Sequence, residues 1–525
     1  MANADYELLA DVPAYNAEQF ADRIAFEFEG RQLTYGALQT HTNQCAQALL
    51  SIGTEPDERV AYLGKNCPEY WEILLGCAKA GAVMTPINWR LALPEITYIL
   101  NDAGIRTLFL GKDFAHLEGD LRREETKLKT IIPVEHSSVA HVSYETWRDT
   151  SPALPPTVTR VASDDLLQLY TSGTTGRPKG AVISNSAYLE ASRRQKDPDG
   201  PKWNSWSASD VSLVAMPCFH IGGTGWGLTG LINGALGVIM REFDPNSVLD
   251  FIDRFKVSKL FLVPAAMQIV VNQPAARSTD FSQLDYILYG ASPIPLDLLR
   301  QAMDVFGCGF VQMYGMTETA GTIVALPPED HDPNGTPRMR AAGKPLKGVE
   351  ICILDADGNT LAPGEVGEIA IKSPSNMSKY WQLPGPTAET LQNGWLRSGD
   401  AGYLDEDGYV YIHDRVKDMI ISGGENIYPA EVENAIFSHE RVADVAVIGV
   451  PDEKWGEAVK AAVIAKPGSV LSEAEIIAWA RERIAKYKCP KSVDFVDEIP
   501  RNASGKILRK DLRALYWKDY GRQVN

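Results

Sequence analysis

Between Val211 and Gly315 short apolar runs alternate with amphipathic stretches. The runs 213–216, 238–240, 260–263, 286–289 and 310–314 are short and rich in β-branched and aromatic residues, which predicts strands. The segments 247–255 and 295–306 between them read as helices, so the order is βαβα and the sheet is parallel, covered by helices. An earlier stretch has the same style, with a strand at 60–63, a helix at 68–80 and a strand at 107–110. Two α/β lobes are expected, joined by the proline-rich segment 151–156.

After about Pro345 the pattern shortens to alternating strands and Asp-Gly turns, Asp357-Gly358 and Asp407-Gly408, the latter before a strand at 409–412. A small β lobe follows from this. Beyond Arg415 strands at 445–450, 459–464 and 493–496 surround a helix at 473–487, whose start shows the Ser472/Glu475 capping-box spacing. The expectation is an α/β protein with a large N-terminal domain, residues 1–414, and a small α+β domain, residues 415–525.

At 525 residues the chain exceeds the ~250–300 that one core supports. Its 45% hydrophobic and 23% charged residues are globular values, and no run approaches the ~18 apolar residues of a membrane span. The formal net charge of −17 opposes a broad phosphate-backbone footprint, so no nucleic-acid partner is expected. The start carries Asp5, Glu7, Asp11 and Glu18 without a basic or apolar leader region, which predicts a cytoplasmic protein. Seven widely spaced cysteines form no CxxC pair, so they read as small buried hydrophobes rather than zinc ligands or a disulfide framework.

The chemistry concentrates first in Tyr170-Thr-Ser-Gly-Thr-Thr-Gly-Arg-Pro-Lys179-Gly180, which follows the apolar run 166–169. Glycines let the backbone wrap an anion, hydroxyls and amides donate, and Lys179 adds charge. The segment is not a Walker A loop, because Pro178 stands where that pattern needs glycine.

This segment resembles the phosphate loop of the adenylate-forming superfamily, which includes acyl-CoA synthetases, luciferases and peptide-synthetase adenylation domains. Further segments follow in family order: Tyr289-Gly-Ala-Ser292, Gln312-Met-Tyr-Gly-Met-Thr-Glu-Thr319, Trp395-Leu-Arg-Ser-Gly-Asp400, Asp414-Arg-Val-Lys-Asp-Met-Ile-Ile-Ser-Gly-Gly-Glu-Asn426 and Pro500-Arg-Asn-Ala-Ser-Gly-Lys506. The resemblance implies that Thr171, Ser172, Gly173, Thr174, Thr175, Gly176 and Lys179 hold ATP phosphates. It implies that Tyr314 stacks on adenine, with Gly290, Ala291 and Gly315 around that slot. Thr317 would donate to the α-phosphate, Glu318 would hold Mg²⁺, Asp400 would accept from the ribose hydroxyls, and Arg415 would reach ribose or phosphate. Lys506 would approach the reacting carboxylate. Lys417 matches the hinge, and Ser422, Gly423 and Gly424 would line a tunnel for the thiol of CoA; a plain hairpin turn is the bland alternative there. Two departures stand out: Ser398 replaces the commoner threonine and keeps its hydroxyl, and Asp414 replaces glycine beside Arg415.

Substrate choice falls on Met216-Pro-Cys-Phe-His-Ile-Gly-Gly-Thr-Gly-Trp226. Peptide-synthetase domains carry an aspartate after the phenylalanine, which pairs with an ammonium group; this chain has His220. An unpaired buried ammonium is costly, so an α-amino acid is disfavoured. Gly222 and Gly223 are expected to leave space, Phe219 and Trp226 to supply apolar walls, and His220 to gate the carboxylate, against the alternative of a satisfied core histidine. The resemblance thus implies an acyl-CoA synthetase acting on a fatty, aryl or polycyclic acid with ATP, Mg²⁺ and CoA. The alternatives are a ligase loading a carrier protein and a nucleotide-binding regulator without turnover. The resemblance leaves room for a homodimer.

Overall fold

The computed structural model describes residues 6–517 apart from 125, 137–141, 172–177, 194–199, 293, 333, 416–417, 423–424, 453 and 503–505. A large N-terminal and a small C-terminal domain make up a mixed α/β chain. Two large sheets carry the former. The nine-stranded sheet runs, edge to edge, Lys344–Pro345, Gly321–Leu326, Gly309–Met316, Tyr286–Gly290, Lys259–Leu262, Val211–Val214, Leu236–Ile239, Ile24–Phe28 and Arg31–Thr34. The seven-stranded sheet runs Lys379–Tyr380, Lys179–Ser184, Asp165–Thr171, Val83–Pro86, Arg59–Leu63, Thr107–Gly111 and Thr130–Val134. Both are parallel through their centres, as the βαβα pattern predicts.

The lobes are not divided by 151–156. Ile24–Phe28 lies parallel to Leu236–Ile239 in the later sheet, while Asp165–Thr171 and Lys179–Ser184, beyond the proline-rich segment, return to the earlier one. Each sheet therefore takes strands from both sides of the supposed linker. The two sheets share one buried cluster, in which Phe26 of one sheet and Tyr62, Phe109 and Leu167 of the other lie together with Trp71, while each sheet also carries a cluster of its own. Trp71 sits on the helix Pro68–Ala80, which begins with proline and ends on left-handed Gly81. A Cβ on Gly227 of the helix Ile221–Ile232 would lie 2.4 Å from the Trp71 ring, so the two helices meet there.

Every residue of Pro68–Ala80 is buried, three charged ones included. Glu69, Glu72, Gly76 and Lys79 share one helical stripe. Gly76 marks its contact with the helix Tyr35–Ser51, since a Cβ there would lie 2.5 Å from Cys45 Sγ. Each charge along the stripe has its own partners. Arg31 pairs with Glu69 at 2.7 Å; His41 and Arg148 contact Glu72 at 2.7 and 2.6 Å, with Tyr144 donating at 3.1 Å. Lys79 donates to Gln39, Thr42 and Asn43 at 2.6–2.7 Å. Burial alone would raise the Glu72 carboxyl, but His41 and Arg148 hold it below its ordinary value.

The small β lobe pairs Glu350–Leu354, Gly367–Lys372, Trp395–Leu404, Leu391–Gln392 and Val410–Arg415. In the C-terminal domain a five-stranded sheet holds Ile420–Ser422, Glu425–Ile427, Val442–Asp452, Gly456–Ala465 and Ser492–Phe495. Ser472 caps the helix Glu473–Arg481 by accepting from the Glu475 amide. The helix ends before the expected Tyr487, where the chain turns to bury Cys489 and bring Lys488 onto Glu431 at 2.7 Å. Among the described residues no helix is long and apolar enough to cross a membrane. All seven cysteines are free, five buried and Cys308 and Cys352 half-buried.

Candidate functional site

The phosphate-loop segment is anchored at its two ends by one antiparallel pair. Thr171 closes the strand Asp165–Thr171, Lys179 opens Lys179–Ser184, and the register sets them opposite each other. Ser172, Gly173, Thr174, Thr175 and Gly176 lie outside the described residues. Lys179 forms no ion pair among the described residues; its Nζ lies over the Tyr380 ring, 5.1 Å from the centroid.

Thr317 and Glu318 sit in the single 3₁₀ turn Thr317–Thr319 that follows Gly309–Met316. Thr319 Oγ1 fixes the turn, accepting from the Met316 amide at 3.1 Å and donating to the Gly321 carbonyl at 2.6 Å. The half-buried Thr317 hydroxyl has no partner among the described residues. Glu318 is only 6% exposed, and its carboxylate accepts from the Tyr380 hydroxyl at 2.9 Å. Tyr380 thus joins Lys179 to Glu318, and the sequence reading missed it: it lies in a two-residue strand, where no periodicity could mark it.

On the same strand Tyr314 donates to Asp400 Oδ2 at 2.8 Å, so the expected adenine and ribose residues are in direct contact. The hydroxyl that Ser398 keeps accepts from the Asp400 amide at 3.0 Å and donates to the Ile369 carbonyl at 2.7 Å. The Arg415 backbone pairs with Asp400 and that of Asp414 with Ala401; the side chains at 414 and 415 lie outside the described residues. Gly290 and Gly315 are close-approach positions. A Cβ on Gly290 would stand 2.1 Å from the Met313 carbonyl oxygen, and one on Gly315 2.0 Å from that of Gly321. Ala291 has the left-handed φ of 68°, uncommon for a residue with a side chain.

The acyl segment forms the entry to the helix Ile221–Ile232, with His220 at its N-cap. Phe219 is buried, edge-on to Trp89 at 6.0 Å and 4.5 Å from the His220 ring. Trp226 packs between Trp206 and Phe261 and donates to the Leu213 carbonyl at 3.0 Å. Gly222 is in ordinary contact with Phe261. The expectation that Gly223 leaves space is wrong: a Cβ there would stand 2.1 Å from the Pro217 carbonyl oxygen, so this glycine serves loop–helix packing. Gly225 has the open space instead. Among the described residues the buried Nε2 of His220 has no hydrogen-bond partner, whereas a satisfied core histidine would have one. Burial, aided by the nearby Arg90 charge, lowers its pKa to about 4. His220 is therefore neutral in the working range: in labelled protein its Cε1 proton keeps one chemical shift between about pH 6 and 8, and a midpoint near the ordinary ~6.5 contradicts this.

In the C-terminal domain, Asn502 Oδ1 accepts from the Lys506 amide at 2.9 Å and the Asn502 amide donates to the Lys506 carbonyl at 2.8 Å. These reciprocal bonds clamp the two ends of the segment that presents Lys506. Ser422 pairs with Glu425 and with Gly456. Lys417, Gly423 and Gly424 lie outside the described residues.

Comparison with known proteins gives the family. The "AMP-binding enzyme" family model matches residues 14–381, and the "AMP-binding enzyme C-terminal domain" model matches 431–506, ending on Lys506. The chain is 41% identical over 520 residues to a fatty acid–[acyl-carrier-protein] ligase of Streptomyces coeruleorubidus, covering 99% of this chain and 98% of that one. It is 38% identical over 515 residues to a feruloyl-CoA synthase of an Amycolatopsis species, covering 96% and 98%. The crystal structure of an anthranilate CoA ligase in complex with anthranoyl-AMP superposes with a TM-score of 0.89 at 28% identity, covering 97% of each chain. With the family matched along both domains and the relatives matched nearly end to end, the chain belongs to the AMP-binding, adenylate-forming enzyme family.

Proposed function

We propose that this acid–thiol ligase is an AMP-forming acyl-CoA synthetase for a fatty, aryl or polycyclic carboxylic acid. The observation that carries the substrate class is His220, packed on Phe219, which is itself edge-on to Trp89, at the point where an amino-acid-activating relative needs a carboxylate. An ammonium group entering here would lose its hydration without gaining a counter-ion. A flat or extended apolar acid would not.

A carboxylate is a poor acyl donor because its leaving group would be an oxide. Attack of its oxygen on the α-phosphorus of ATP expels pyrophosphate and makes AMP the later leaving group. Two anions must meet, so the protein's work is alignment and charge neutralisation. Lys179 and the Thr317 hydroxyl, which has no partner among the described residues, are the donors for the phosphates, with Lys506 brought from the small domain to the reacting oxygens. Tyr314 and Asp400 hold adenosine, and Ser172, Gly173, Thr174, Thr175 and Gly176 wrap the phosphates. The buried Glu318 carboxylate, held by one tyrosine hydroxyl, suits a hard cation that takes its other ligands from phosphate and water. Mg²⁺ bound there would supply the remaining positive charge.

For the second step we place the domain boundary between residues 414 and 415, with a hinge near Lys417. The small domain then turns to present Ser422, Gly423 and Gly424 to the CoA arm, where small residues leave room for a thiol. The carrier-protein reading is kept alive by the 41% identical relative, itself named for loading acyl-carrier protein. Seven free cysteines fit the reducing cytoplasm; sedimentation decides whether a homodimer forms. A regulator without turnover would be expected to have lost catalytic side chains, and Lys179, Glu318, Asp400 and Lys506 are all present.

The deciding experiment is AMP release across short, medium, long, aromatic and steroidal acids, with CoA or a phosphopantetheinylated carrier protein as acceptor. Activation of an apolar acid with CoA supports the proposal. Activation of α-amino acids alone contradicts it, and turnover with carrier protein alone moves it to the second reading.

A further inference from the structure

Lys179 and Glu318 carry opposite charges on neighbouring elements, yet they form no ion pair. Among the described residues one side chain, that of Tyr380, touches both. The Tyr380 hydroxyl donates to Glu318 Oε1 at 2.9 Å, while the Lys179 ammonium lies over the face of the same ring, 5.1 Å from its centroid. That is within the ~6 Å reach of a cation–π contact. We infer that Tyr380 is a positioning residue that keeps Lys179 and Glu318 from neutralising each other, leaving the ammonium available for phosphate and the carboxylate available for the metal.

The placement of Tyr380 is over-determined. Its strand, Lys379–Tyr380, pairs with Lys179–Ser184 through Lys379 with Val182 and Tyr380 with Ala181. The Met377 amide donates to the Glu318 carbonyl at 2.7 Å, tying the same segment to the other partner. The next residue is an anchor: Trp381 donates from its amide to Gly180 at 2.7 Å and from Nε1 to Asp102 at 2.9 Å, and Arg59 lies over its ring at 3.6 Å. Three attachments thus fix the phenol between two charges that come from distant parts of the sequence.

The physical reason for such a spacer is competition. A direct Lys–Glu pair in this half-buried place would have to be broken before phosphate and metal could enter, because each ligand needs one member of the pair. A ring face and a neutral hydroxyl are weaker partners than a full opposite charge, and they leave the charges in place. The hydroxyl also orients the carboxylate, as the outer partners of metal ligands do.

The inference rests on the roles given above to Lys179 and Glu318, and it is tested without the acid, so that an error in substrate class does not touch it. The measurement is equilibrium binding of α,β-methylene-ATP, with and without Mn²⁺ followed by its free-ion EPR signal. Tyr380→Phe keeps the ring and removes the hydroxyl. Metal-free nucleotide affinity is expected to be unchanged, and Mn²⁺ affinity of the nucleotide complex to fall about 10- to 100-fold. Tyr380→Leu removes both partners; metal-free nucleotide binding should then weaken as well, because Lys179 closes onto Glu318. Adding Glu318→Gln to Tyr380→Leu should restore metal-free binding, which no general loosening of the fold can do. Unchanged Mn²⁺ binding in Tyr380→Phe, or no restoration in the double variant, overturns the inference. If Glu318→Gln alone leaves Mn²⁺ binding intact, the metal role itself falls and the inference with it.

Discussion

Replacing Lys506 by alanine lowers acid-dependent exchange of pyrophosphate into ATP by about 10²- to 10³-fold, roughly 3–4 kcal/mol, the cost of deleting one charge-stabilising donor. Thioester formation from supplied acyl adenylate stays near the native rate. The asymmetry follows from where the lysine sits. Lys506 belongs to the small domain, in a segment whose ends are clamped by the reciprocal Asn502 hydrogen bonds, whereas Lys179, Thr317, Glu318, Tyr314 and Asp400 belong to the large one. On the proposed function, a donor delivered by a separate domain would serve the half-reaction in which that domain is turned toward the phosphates. Equal loss in both half-reactions removes the idea that the small domain rotates between two tasks.

Arg148→Ala destabilises the large domain by about 3–5 kcal/mol, because it leaves Glu72 buried with half its compensation gone. Glu72 is 3% exposed, and Arg148 contacts it at 2.6 Å. In the native protein the Glu72 carboxyl lies below its ordinary value despite burial, which favours the proton, because His41 and Arg148 favour the charge. The stability contributed by this depressed group is therefore complete above the unfolded value of ~4.3 and disappears as pH falls through the folded value. In the variant the carboxyl rises instead, so the difference between the two proteins narrows in acid. Chemical unfolding at neutral pH and near pH 4 measures this. An Arg148→Met/Glu72→Leu pair, which removes both charges, should recover much of the loss; a double variant as weak as Arg148→Ala assigns the effect to packing rather than to the stranded charge.

These two effects differ in how visible they were from residue order. Lys506 stands in a local motif and could be named at once. So could the strands from Val211 to Met316, whose short apolar runs are flanked by helices of the right period, and the helix Pro68–Ala80, bounded by proline and left-handed Gly81. The charges inside that helix were not legible. Glu69, Glu72 and Lys79 look like a solvated stripe, and only distant partners, Arg31, Arg148 and the side chains of Tyr35–Ser51, make their burial tolerable. The exchange of strands between the two sheets was hidden for the same reason, since Ile24–Phe28 finds its neighbour more than two hundred residues away.

Within the site, the motifs singled out Tyr314 and Asp400 separately but not the hydrogen bond that joins them. They missed Tyr380 and Trp89, which owe their places to pairing and ring contacts rather than to any local pattern. Gly223 misled because a glycine signals either empty space or forbidden space. Only the Pro217 carbonyl oxygen, which a Cβ would strike, decides for the second.

The most direct test of adenylate formation is the identity of the phosphorus-containing products. Purified protein given ATP, Mg²⁺, CoA and a free carboxylic acid that it accepts should yield AMP and pyrophosphate in equal amounts by ³¹P NMR, with ¹⁸O from the acid's carboxylate appearing in AMP. Formation of ADP and orthophosphate, or AMP without the label, contradicts it.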